Sequence, residues 1–389
     1  MFRIKTINAI SPQGLALFDA ERFLVGPDLA DADALIVRSA RMHDMELPAS
    51  LKAVGRAGAG VNNIPIDRLS QRGIPVFNAP GANANAVKEL VVAGLLIAAR
   101  NLGDAWLFAR GLKGSDAEIR EAVEKGKKAF AGVELPGRTL GVIGLGAVGR
   151  MVANAGVALG MRVIGFDPEL TVEGAWQLSA AVGKAASVDE LMRASDFLSL
   201  HVPLTESTRR LVDAGRLGLM RPTASLLNFA REEIVEAEAV VAALDAGRLH
   251  AYVCDFPSGI LKDHPHVVAL PHLGASTGEA EDNSASMVVE QIKDFLLNGN
   301  IRHAVNFPDV VMAQEGPCRL AIANANVPNM VGQISTAMAA AGLNIRDLVN
   351  KARGEYAYTL VDLDSPVPDA VLAGIAAIPG VLSARRIEG

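Results

Sequence analysis

The sequence predicts an α/β protein with two parallel β-sheets and a small antiparallel α/β unit at the C-terminal end. Three observations support this prediction. Short apolar runs alternate with helical stretches over residues 1–80 and again, more strongly, over 139–275, which is typical of βαβ units. Residues 318–388 follow the order βαββαβ of a ferredoxin-like unit. Half of the 389 residues are apolar, so the chain can build more than one hydrophobic core.

The first hundred residues contain three apolar runs that we expect to be buried strands, at 34–37, 52–55 and 73–77. A long, mostly apolar helix is expected over 84–100. The charged stretch 111–128 is expected to form an exposed helix and loop.

The middle of the chain shows a stronger alternation, which predicts a doubly wound sheet. A long helix over 279–297 follows, with acidic residues in its first turn, where the helix dipole favours them. The stretch 307–316 is interpreted as a linker. The strands expected in the middle sheet are 139–144, 162–166, 197–201, 225–229, 250–255 and 267–269.

The C-terminal stretch is predicted to be a unit of its own. One helix has Val331, Ile334, Met338 and Ala341 on a single face, which is the pattern of an amphipathic helix packed on a sheet. The strands are expected at 318–324, 344–349, 355–363 and 382–387, and the helices at 329–341 and 368–378.

Composition argues against several classes of protein. The net charge is −6 and the basic residues are scattered, so we expect no nucleic-acid partner. Cys254 and Cys318 form no CxxC pattern, so neither a disulfide nor a metal site is expected. No signal peptide opens the sequence, and the apolar run 87–99 is too short to span a bilayer. We therefore expect a cytoplasmic protein without membrane contact.

A glycine-rich turn is the most informative motif. Gly144, Gly146 and Gly149 follow a predicted strand and open a predicted helix, which is the arrangement of a dinucleotide site. The first glycine allows the tight turn, the second lets the backbone approach a pyrophosphate, and the third lets helix and strand pack closely. Asp167 ends the next strand, where a carboxylate accepts hydrogen bonds from ribose hydroxyls and repels a 2′-phosphate. The cofactor expected from this pair of features is NAD.

Two further residues frame a reaction site. Arg231 follows a strand at its carboxyl end, where ligands bind in such sheets, and a guanidinium can grip a carboxylate through two parallel hydrogen bonds. His272 follows the last strand of the sheet, and an imidazole with an ordinary pKa of about 6.5 can take or give a proton near neutrality. His201 also ends a strand, where it is expected either to face the cofactor or to shape the pocket.

Taken together, these motifs resemble the D-isomer-specific 2-hydroxyacid dehydrogenases. The segments that carry the resemblance are 144–149, 200–205 and 271–277, with Asp167, Arg231 and Asp255. The stretches 56–63 and 78–87 narrow it to the branch of the family that oxidises 3-phospho-D-glycerate. The C-terminal unit resembles an ACT domain, and the resemblance covers nearly the whole chain.

The resemblance implies two Rossmann-like or flavodoxin-like domains followed by an ACT-like domain. The substrate-binding domain would be discontinuous, with residues 1–95 and 276–306. Residues 96–275 would form the NAD-binding Rossmann domain, and 317–389 the ACT-like regulatory domain. The family also implies a homo-oligomer, either a dimer through the nucleotide domain or a tetramer through the ACT-like units.

The resemblance also assigns roles to individual residues. Asp255 would reach the nicotinamide carboxamide, and the backbone of Ala59 and Gly60 would bind the substrate carboxylate alongside Arg231. Arg38 and Arg41 would face the phosphate, since arginine suits a dianion, although their spacing alone is that of a surface pair. The cofactor-binding set implied is Gly144, Gly146, Ala147, Val148, Gly149, Asp167, His201, Phe229, Ala230, Arg231, Asp255, His272, Leu273, Gly274 and Ala275.

One position departs from the family. A glutamate is expected five residues after Asp255, where it orients and charges the catalytic histidine, and this chain has Ile260 there. An imidazole without that partner is less basic and less well positioned. Either the nearby Asp263 serves instead, or His272 works unaided.

The function implied is NAD-dependent oxidation of 3-phospho-D-glycerate to 3-phosphohydroxypyruvate, the first step of L-serine biosynthesis. The alternatives are a dehydrogenase of glycerate, glyoxylate or lactate, and a non-catalytic, NAD-sensing protein of the same fold. In the tail, Asn324, Asn326 and Asn344 match positions that bind L-serine as an effector in ACT domains, with Asn324 in place of a histidine. The competing interpretation is that these asparagines only cap a helix and shape its turns.

Overall fold

A computed structural model describes residues 1–388, and the chain divides into two units. One unit consists of residues 1–83 together with the chain from residue 278 onward, and the other of residues 84–277. The first unit is therefore discontinuous in sequence, with the second inserted into it.

The N-terminal segment forms a five-stranded parallel sheet. Its strand order is β2-β1-β3-β4-β5, the order of flavodoxin-like sheets. The three strands expected from the sequence are β3, β4 and β5, and the structure adds β1 and β2 beside them. Its elements are β1 (Phe2–Ile7), α1 (Pro12–Leu15), β2 (Phe23–Gly26), β3 (Ala34–Val37), β4 (Ala53–Arg56), α2 (Ile66–Ser70) and β5 (Val76–Asn78).

The second unit begins with helices and then builds the larger sheet. Three helices, α3, α4 and α5, precede the strands, and further helices connect most of the strands that follow. The elements are α3 (Ala84–Ala99), α4 (Leu102–Gly111), α5 (Asp116–Gly126), β6 (Thr139–Ile143), α6 (Ala147–Ala158), β7 (Arg162–Phe166), α7 (Val172–Trp176), β8 (Gly183–Lys184), α8 (Val188–Ala194), β9 (Phe197–Leu200), α9 (Ala214–Leu217), β10 (Ser225–Asn228), α10 (Ala237–Asp245), β11 (Ala251–Cys254) and β12 (Val267–Ala269), with 3-10 turns at Lys127–Phe130 and Glu232–Ile234.

All seven strands of this larger sheet are parallel. Their order is β8-β7-β6-β9-β10-β11-β12, so the chain starts in the middle, builds outward to one edge, and then crosses to build the other. This is the Rossmann plan, in which ligands bind outside the carboxyl ends of the strands where the strand order reverses. The reversal here lies between β6 and β9.

No single helix among residues 1–388 is both long and apolar enough to cross a membrane. The helices α3 and α4 satisfy that test only when joined, and the chain bends by 68° between them.

The remaining chain returns to the first unit. A Cβ atom on Gly55 of β4 would lie 2.3 Å from Val288 Cγ1, so the glycine allows the long helix to lie directly on the sheet. The tail sheet has the order β14-β15-β13-β16, which is that of a ferredoxin-like unit and confirms the predicted fold. The elements are α11 (Gly278–Asn298), β13 (Cys318–Ala325), α12 (Met330–Ala340), β14 (Ile345–Arg353), β15 (Tyr356–Leu363), α13 (Asp369–Ala376) and β16 (Val381–Glu388).

The stretch expected to be a linker is packed instead. Phe307 and Val310 are fully buried, and Val310 pairs with Ile301 as an antiparallel bridge. The buried guanidinium of Arg319 binds both oxygens of Asp362 at 2.6 and 2.9 Å and also donates to backbone carbonyls of this stretch and of α11. One face of the tail sheet therefore belongs to the same core as the N-terminal sheet and α11.

Candidate active site

The candidate residues of the second unit lie just after the carboxyl ends of its parallel strands. Because the strands are parallel, the residues that follow them lie along one edge of the sheet. Six of the seven strands are followed directly, or within three residues, by a residue singled out from the sequence. These residues are Gly144 after β6, Asp167 after β7, His201 after β9, Phe229 to Arg231 after β10, Asp255 after β11 and His272 after β12.

The glycine-rich turn has the shape of a phosphate cradle. Gly144 has a φ of +86°, and a Cβ there would lie 2.6 Å from the carbonyl oxygen of His201. A Cβ on Gly149 would lie 1.9 Å from the carbonyl oxygen of Gly144, so only glycine lets α6 start this close to the turn. A Cβ on Gly146 would meet nothing within 4 Å. The open space therefore lies at Gly146, beside the first residues of α6, Ala147 and Val148, where free N–H groups and the helix dipole attract an anion.

Asp167 is held in place by the same turn. Its Oδ2 accepts a hydrogen bond of 2.7 Å from the backbone of Leu145, and its Oδ1 accepts one of 2.9 Å from Glu169. The carboxylate is thereby fixed next to the glycine turn, in the place where a ribose would be recognised.

His201 contributes a neutral ring beside this turn. Its Nε2 lies 2.8 Å from Ser199 Oγ, and its backbone N–H donates to Ile143 at 2.7 Å. Burial disfavours the charged imidazolium and lowers the pKa of His201 to about 3. The ring is thus uncharged at neutral pH.

Asn228 holds the loop that carries Arg231. This fully buried amide donates from Nδ2 to the carbonyl oxygen of Arg231 at 2.9 Å and accepts at Oδ1 from Ala230 at 3.1 Å. The guanidinium of Arg231 is exposed, and its Nη1 donates to Ala230. Phe229 is buried against Gly94 of α3. The sequence signal for Asn228 is an amide at the last position of a short, fully buried strand.

Asp255 has one carboxylate oxygen that is free to bind a ligand. Its Oδ2 accepts from the backbone of Gly274 at 3.2 Å, while Oδ1 is buried and, within residues 1–388, has no hydrogen-bonding partner. Burial raises the pKa of Asp255, and the electrostatic interaction with His272 and the hydrogen bond from the Gly274 N–H partly offset that rise. A buried carboxylate oxygen without a partner is costly, and the N–H of a nicotinamide carboxamide would satisfy it. The residues present thus fit NAD.

His272 is held at its backbone and at its ring. It has a left-handed φ of +48°, and its N–H donates to the carbonyl oxygens of Asp255 at 3.0 Å and Leu270 at 3.1 Å. Its imidazole packs edge-to-face on Phe256, with ring centroids 5.2 Å apart and planes at 89°. The side chain is exposed, as is that of Leu273 beside it. Ala275 completes an accessible loop.

His272 receives no acidic partner from the position where the family has a glutamate, nor from Asp263. Ile260 is 48% exposed and apolar. Asp263 is exposed and forms its ion pair with Lys262. In the described part of the chain, no carboxylate makes a hydrogen bond or an ion pair with the His272 ring.

The substrate residues implied by the resemblance lie in the other unit. Arg38 forms an ion pair with Glu281 of α11. Arg41 is exposed and lies 3.9 Å from the carboxylate of Asp44, a weak surface contact. The carbonyl oxygen of Ala59 accepts a 2.6 Å hydrogen bond from Asn78 Nδ2, so this loop is anchored to the end of β5, and Gly60 next to it is half-buried.

The three tail asparagines singled out from the sequence make hydrogen bonds within the tail. Asn324 is 1% exposed and donates to Ala325 at 2.8 Å. Asn326 donates to Gly354 at 3.0 Å, and Asn344 donates to Asp364 at 2.5 Å. Of the three, Asn326 and Asn344 are exposed and present an amide to solvent.

Comparison with known proteins places this site in a family. Residues 102–274 match the family described as D-isomer specific 2-hydroxyacid dehydrogenase, NAD binding domain. The chain belongs to this family. Its middle unit is therefore an NAD-binding domain, which confirms the cofactor expected from Gly144 to Gly149 and Asp167.

Two relatives of this chain are named D-3-phosphoglycerate dehydrogenase. That of Methanocaldococcus jannaschii is 37% identical over 297 residues, which is 74% of this chain and 54% of the relative. That of Synechocystis is 36% identical over 285 residues, 71% of this chain and 49% of the relative. The chain thus spans about half the length of these curated relatives.

A solved structure shows the same fold with a cofactor in place. The 3-phosphoglycerate dehydrogenase of Entamoeba histolytica, described as NAD+-bound, is 25% identical, with a TM-score of 0.61 over 78% of this chain and 98% of that one. The family resemblance and the α/β architecture predicted from the sequence are confirmed. The roles of individual residues and the domain boundaries stay predictions.

Proposed function

We propose that this protein oxidises 3-phospho-D-glycerate to 3-phosphohydroxypyruvate with NAD, the first step of L-serine biosynthesis. The observation that carries the proposal is the placement of Arg231 and His272 at the same sheet edge as the glycine turn, Asp167 and Asp255. A cation for a carboxylate and a base for a hydroxyl are what a 2-hydroxy acid needs. The names of the relatives favour the phosphorylated substrate.

Each catalytic residue has one task in this proposal. When bound, NAD supplies the acceptor for the hydride that leaves C2 of the substrate. His272 removes the proton of the 2-hydroxyl group through its exposed imidazole. Arg231 holds the substrate carboxylate through two parallel hydrogen bonds and polarises the developing carbonyl.

Cofactor choice follows from the fixed carboxylate of Asp167. The two backbone N–H groups that bind it leave it little freedom to turn away from an incoming ribose. A 2′-phosphate would meet this negative charge, so we propose that NAD is preferred to NADP. The open space at Gly146 and the start of α6 would receive the pyrophosphate.

Substrate contacts are proposed for the other unit on the strength of the resemblance. The backbone of Ala59 and Gly60 would bind the carboxylate, and Arg38 and Arg41 would bind the phosphate. In the structure Arg38 is neutralised by Glu281, so phosphate must compete with that carboxylate. This competition favours a second candidate function, the oxidation of an unphosphorylated D-2-hydroxy acid such as glycerate or lactate, or the reverse reaction on glyoxylate.

NADH absorbance during turnover tests these functions. We expect steady NADH formation from 3-phospho-D-glycerate at a kcat/KM at least tenfold above that for D-glycerate or D-lactate. A higher kcat/KM for an unphosphorylated acid would replace the proposal by the second candidate. The absence of turnover on every acid, with a rise in melting temperature on adding NADH, would instead indicate a non-catalytic, NAD-sensing protein.

We propose the same domain roles that the resemblance implies. Residues 1–95 and 276–306 would bind substrate, 96–275 would bind NAD, and 317–389 would regulate. The assembly proposed is a homodimer or a homotetramer, which sedimentation of the full chain would measure.

L-serine is proposed as an effector of the tail, with Asn326 and Asn344 as the accessible contacts. An amide both donates and accepts, so it can bind the ammonium and the carboxylate of a zwitterion. Asn324 is buried and would support the loop from within. Titration of the full chain with millimolar L-serine should raise the melting temperature and lower the rate. An Asn344→Ala variant that responds like the unmodified protein would rule out this contact.

A further inference from the structure

The dipeptide Asp255–Phe256, which follows β11, contacts both the backbone of the His272 loop and the imidazole. The carbonyl oxygen of Asp255 accepts the backbone N–H of His272 at 3.0 Å, and the carboxylate of Asp255 accepts that of Gly274 at 3.2 Å. The next residue, Phe256, meets the imidazole itself, edge-to-face, at a centroid distance of 5.2 Å. Asp255 therefore sets the path of the loop, and Phe256 sets the direction of the ring.

The ring needs such a contact, because no hydrogen bond or ion pair holds it within residues 1–388. Asp255 attracts His272 electrostatically, but its Oδ2 accepts from Gly274 and its Oδ1 has no hydrogen-bonding partner, while Asp263 pairs with Lys262. An exposed imidazole without a partner samples several rotamers about χ1 and χ2. A base must instead present one nitrogen at hydrogen-bond distance from the hydroxyl proton.

We propose that Phe256 is the positioning residue of His272, in the place of a carboxylate partner. Aromatic pairs favour an edge-to-face arrangement at centroid distances of about 4.5–7 Å, and this pair lies well inside that range. Phe256 is itself anchored, because it packs against the core beneath the β10–β12 side of the sheet. A phenyl ring can orient the imidazole, but it accepts no proton and carries no charge. Phe256 would therefore position the His272 ring without stabilising its protonated form. The inference rests on the proposed role of His272 in catalysis.

The test compares the same substitution at two aromatic pairs. Phe256→Leu keeps an apolar side chain but removes the ring that meets His272. Phe130→Leu is the matched control, since Phe130 is also half-buried in this unit and pairs with Phe108 at the same 5.2 Å centroid distance. Phe256→Tyr keeps the ring and serves as the conservative variant.

The kinetic outcome separates positioning from folding. In Phe256→Leu we expect kcat to fall about 10- to 100-fold, the range for a misplaced catalytic group, while the Kd for NADH and the melting temperature change little. The primary isotope effect on kcat with 2-deuterated substrate should rise, because the chemical step becomes slower. Phe256→Tyr should restore kcat to within about threefold of the unmodified protein, and Phe130→Leu should lose nothing. A kcat within threefold in Phe256→Leu, or a loss that Phe256→Tyr does not restore, would overturn the proposal.

A spectroscopic readout is independent of turnover. Protein labelled with ¹³C only in histidine gives ring signals for its seven histidines, and the His272 signal is the one lost in His272→Asn. Loss of the Phe256 ring current should shift that signal in Phe256→Leu but not in Phe130→Leu. An unchanged signal would show that the rings do not pack in solution and would overturn the proposal. If no D-2-hydroxy acid is turned over, the proposed function fails, while this comparison still decides whether Phe256 orients the imidazole.

Discussion

The two glycines at the start of α6 should respond in opposite ways to the same change. Gly149→Ala places a methyl group 1.9 Å from the carbonyl oxygen of Gly144, whereas Gly146→Ala places one in space that is empty to 4 Å. The first change should therefore disturb the fold and the second should disturb only the ligand. Each variant is the matched control of the other, since both add a single methyl group three residues apart.

The geometry sets the expected magnitudes. An ordinary contact at a Cβ begins near 3.4 Å, so Gly149→Ala must move the turn and the helix apart by roughly 1.5 Å. Overpacking of this kind costs about 1–3 kcal/mol. For a unit of this size that lowers the melting temperature by about 2–4 °C per kcal/mol. Gly146→Ala loses at most about 1 kcal/mol as a poorer helix N-cap.

Calorimetric titration with NADH and a thermal melt without ligand measure both effects. In Gly146→Ala we expect the Kd for NADH to rise by about 10- to 100-fold, or roughly 1.4–2.8 kcal/mol, because the methyl group occupies the place of the pyrophosphate. Its melting temperature should stay within about 3 °C of the unmodified value. A Gly146→Ala variant that binds NADH as tightly as the unmodified protein would contradict the place given to the pyrophosphate. A Gly149→Ala variant that melts no lower than Gly146→Ala would contradict the predicted clash.

Further outcomes follow from the other charged and titratable groups. Asp167→Ala should raise the Kd for NAD and reduce the preference for NAD over NADP. Equal use of both cofactors by the unmodified protein would contradict this role of Asp167. Asp255→Asn should raise the melting temperature at pH 7. Burial raises the pKa of the Asp255 carboxyl, so its charged form destabilises the fold at that pH. The gain in melting temperature should disappear as the pH falls through the raised pKa. His272→Ala should lower kcat by about 10²–10⁴ with NADH binding kept, while Asp263→Asn should leave the pH–rate profile unchanged. Glu281→Gln frees the arginine that it pairs with and should lower KM for phosphoglycerate more than KM for glycerate; equal changes would indicate a purely structural ion pair.

The parts of the fold with local signals could be predicted from the sequence. The strands β6 and β9 to β12 are short apolar runs, and the glycine turn combines a strand, a helix and three required glycines within a few residues. The βαββαβ order of the tail is also local, because each element carries its own periodicity. The role expected of Asp167 could also be inferred locally, because it depends only on the position of this residue at the end of the strand that follows the glycine turn.

Contacts between segments that are distant in the sequence could not be predicted from local patterns. The stretch 307–316 has the composition of a linker, yet Phe307 and Val310 are buried by strands and helices that lie elsewhere in the sequence. Arg38 and its partner Glu281 are 243 residues apart, so no spacing rule relates them.

The surroundings of His272 show the same division. The sequence identified the histidine and the missing carboxylate, and Asp263 was a reasonable substitute because it lies only a few residues from Ile260. The structure turns Asp263 toward Lys262 and brings Phe256 against the imidazole. Residue type and strand position determined which group can carry the proton. The packing of the loops after β11 and β12 determined which side chain contacts the His272 imidazole. Such a contact joins two segments that are apart in the sequence, so local sequence patterns do not encode it.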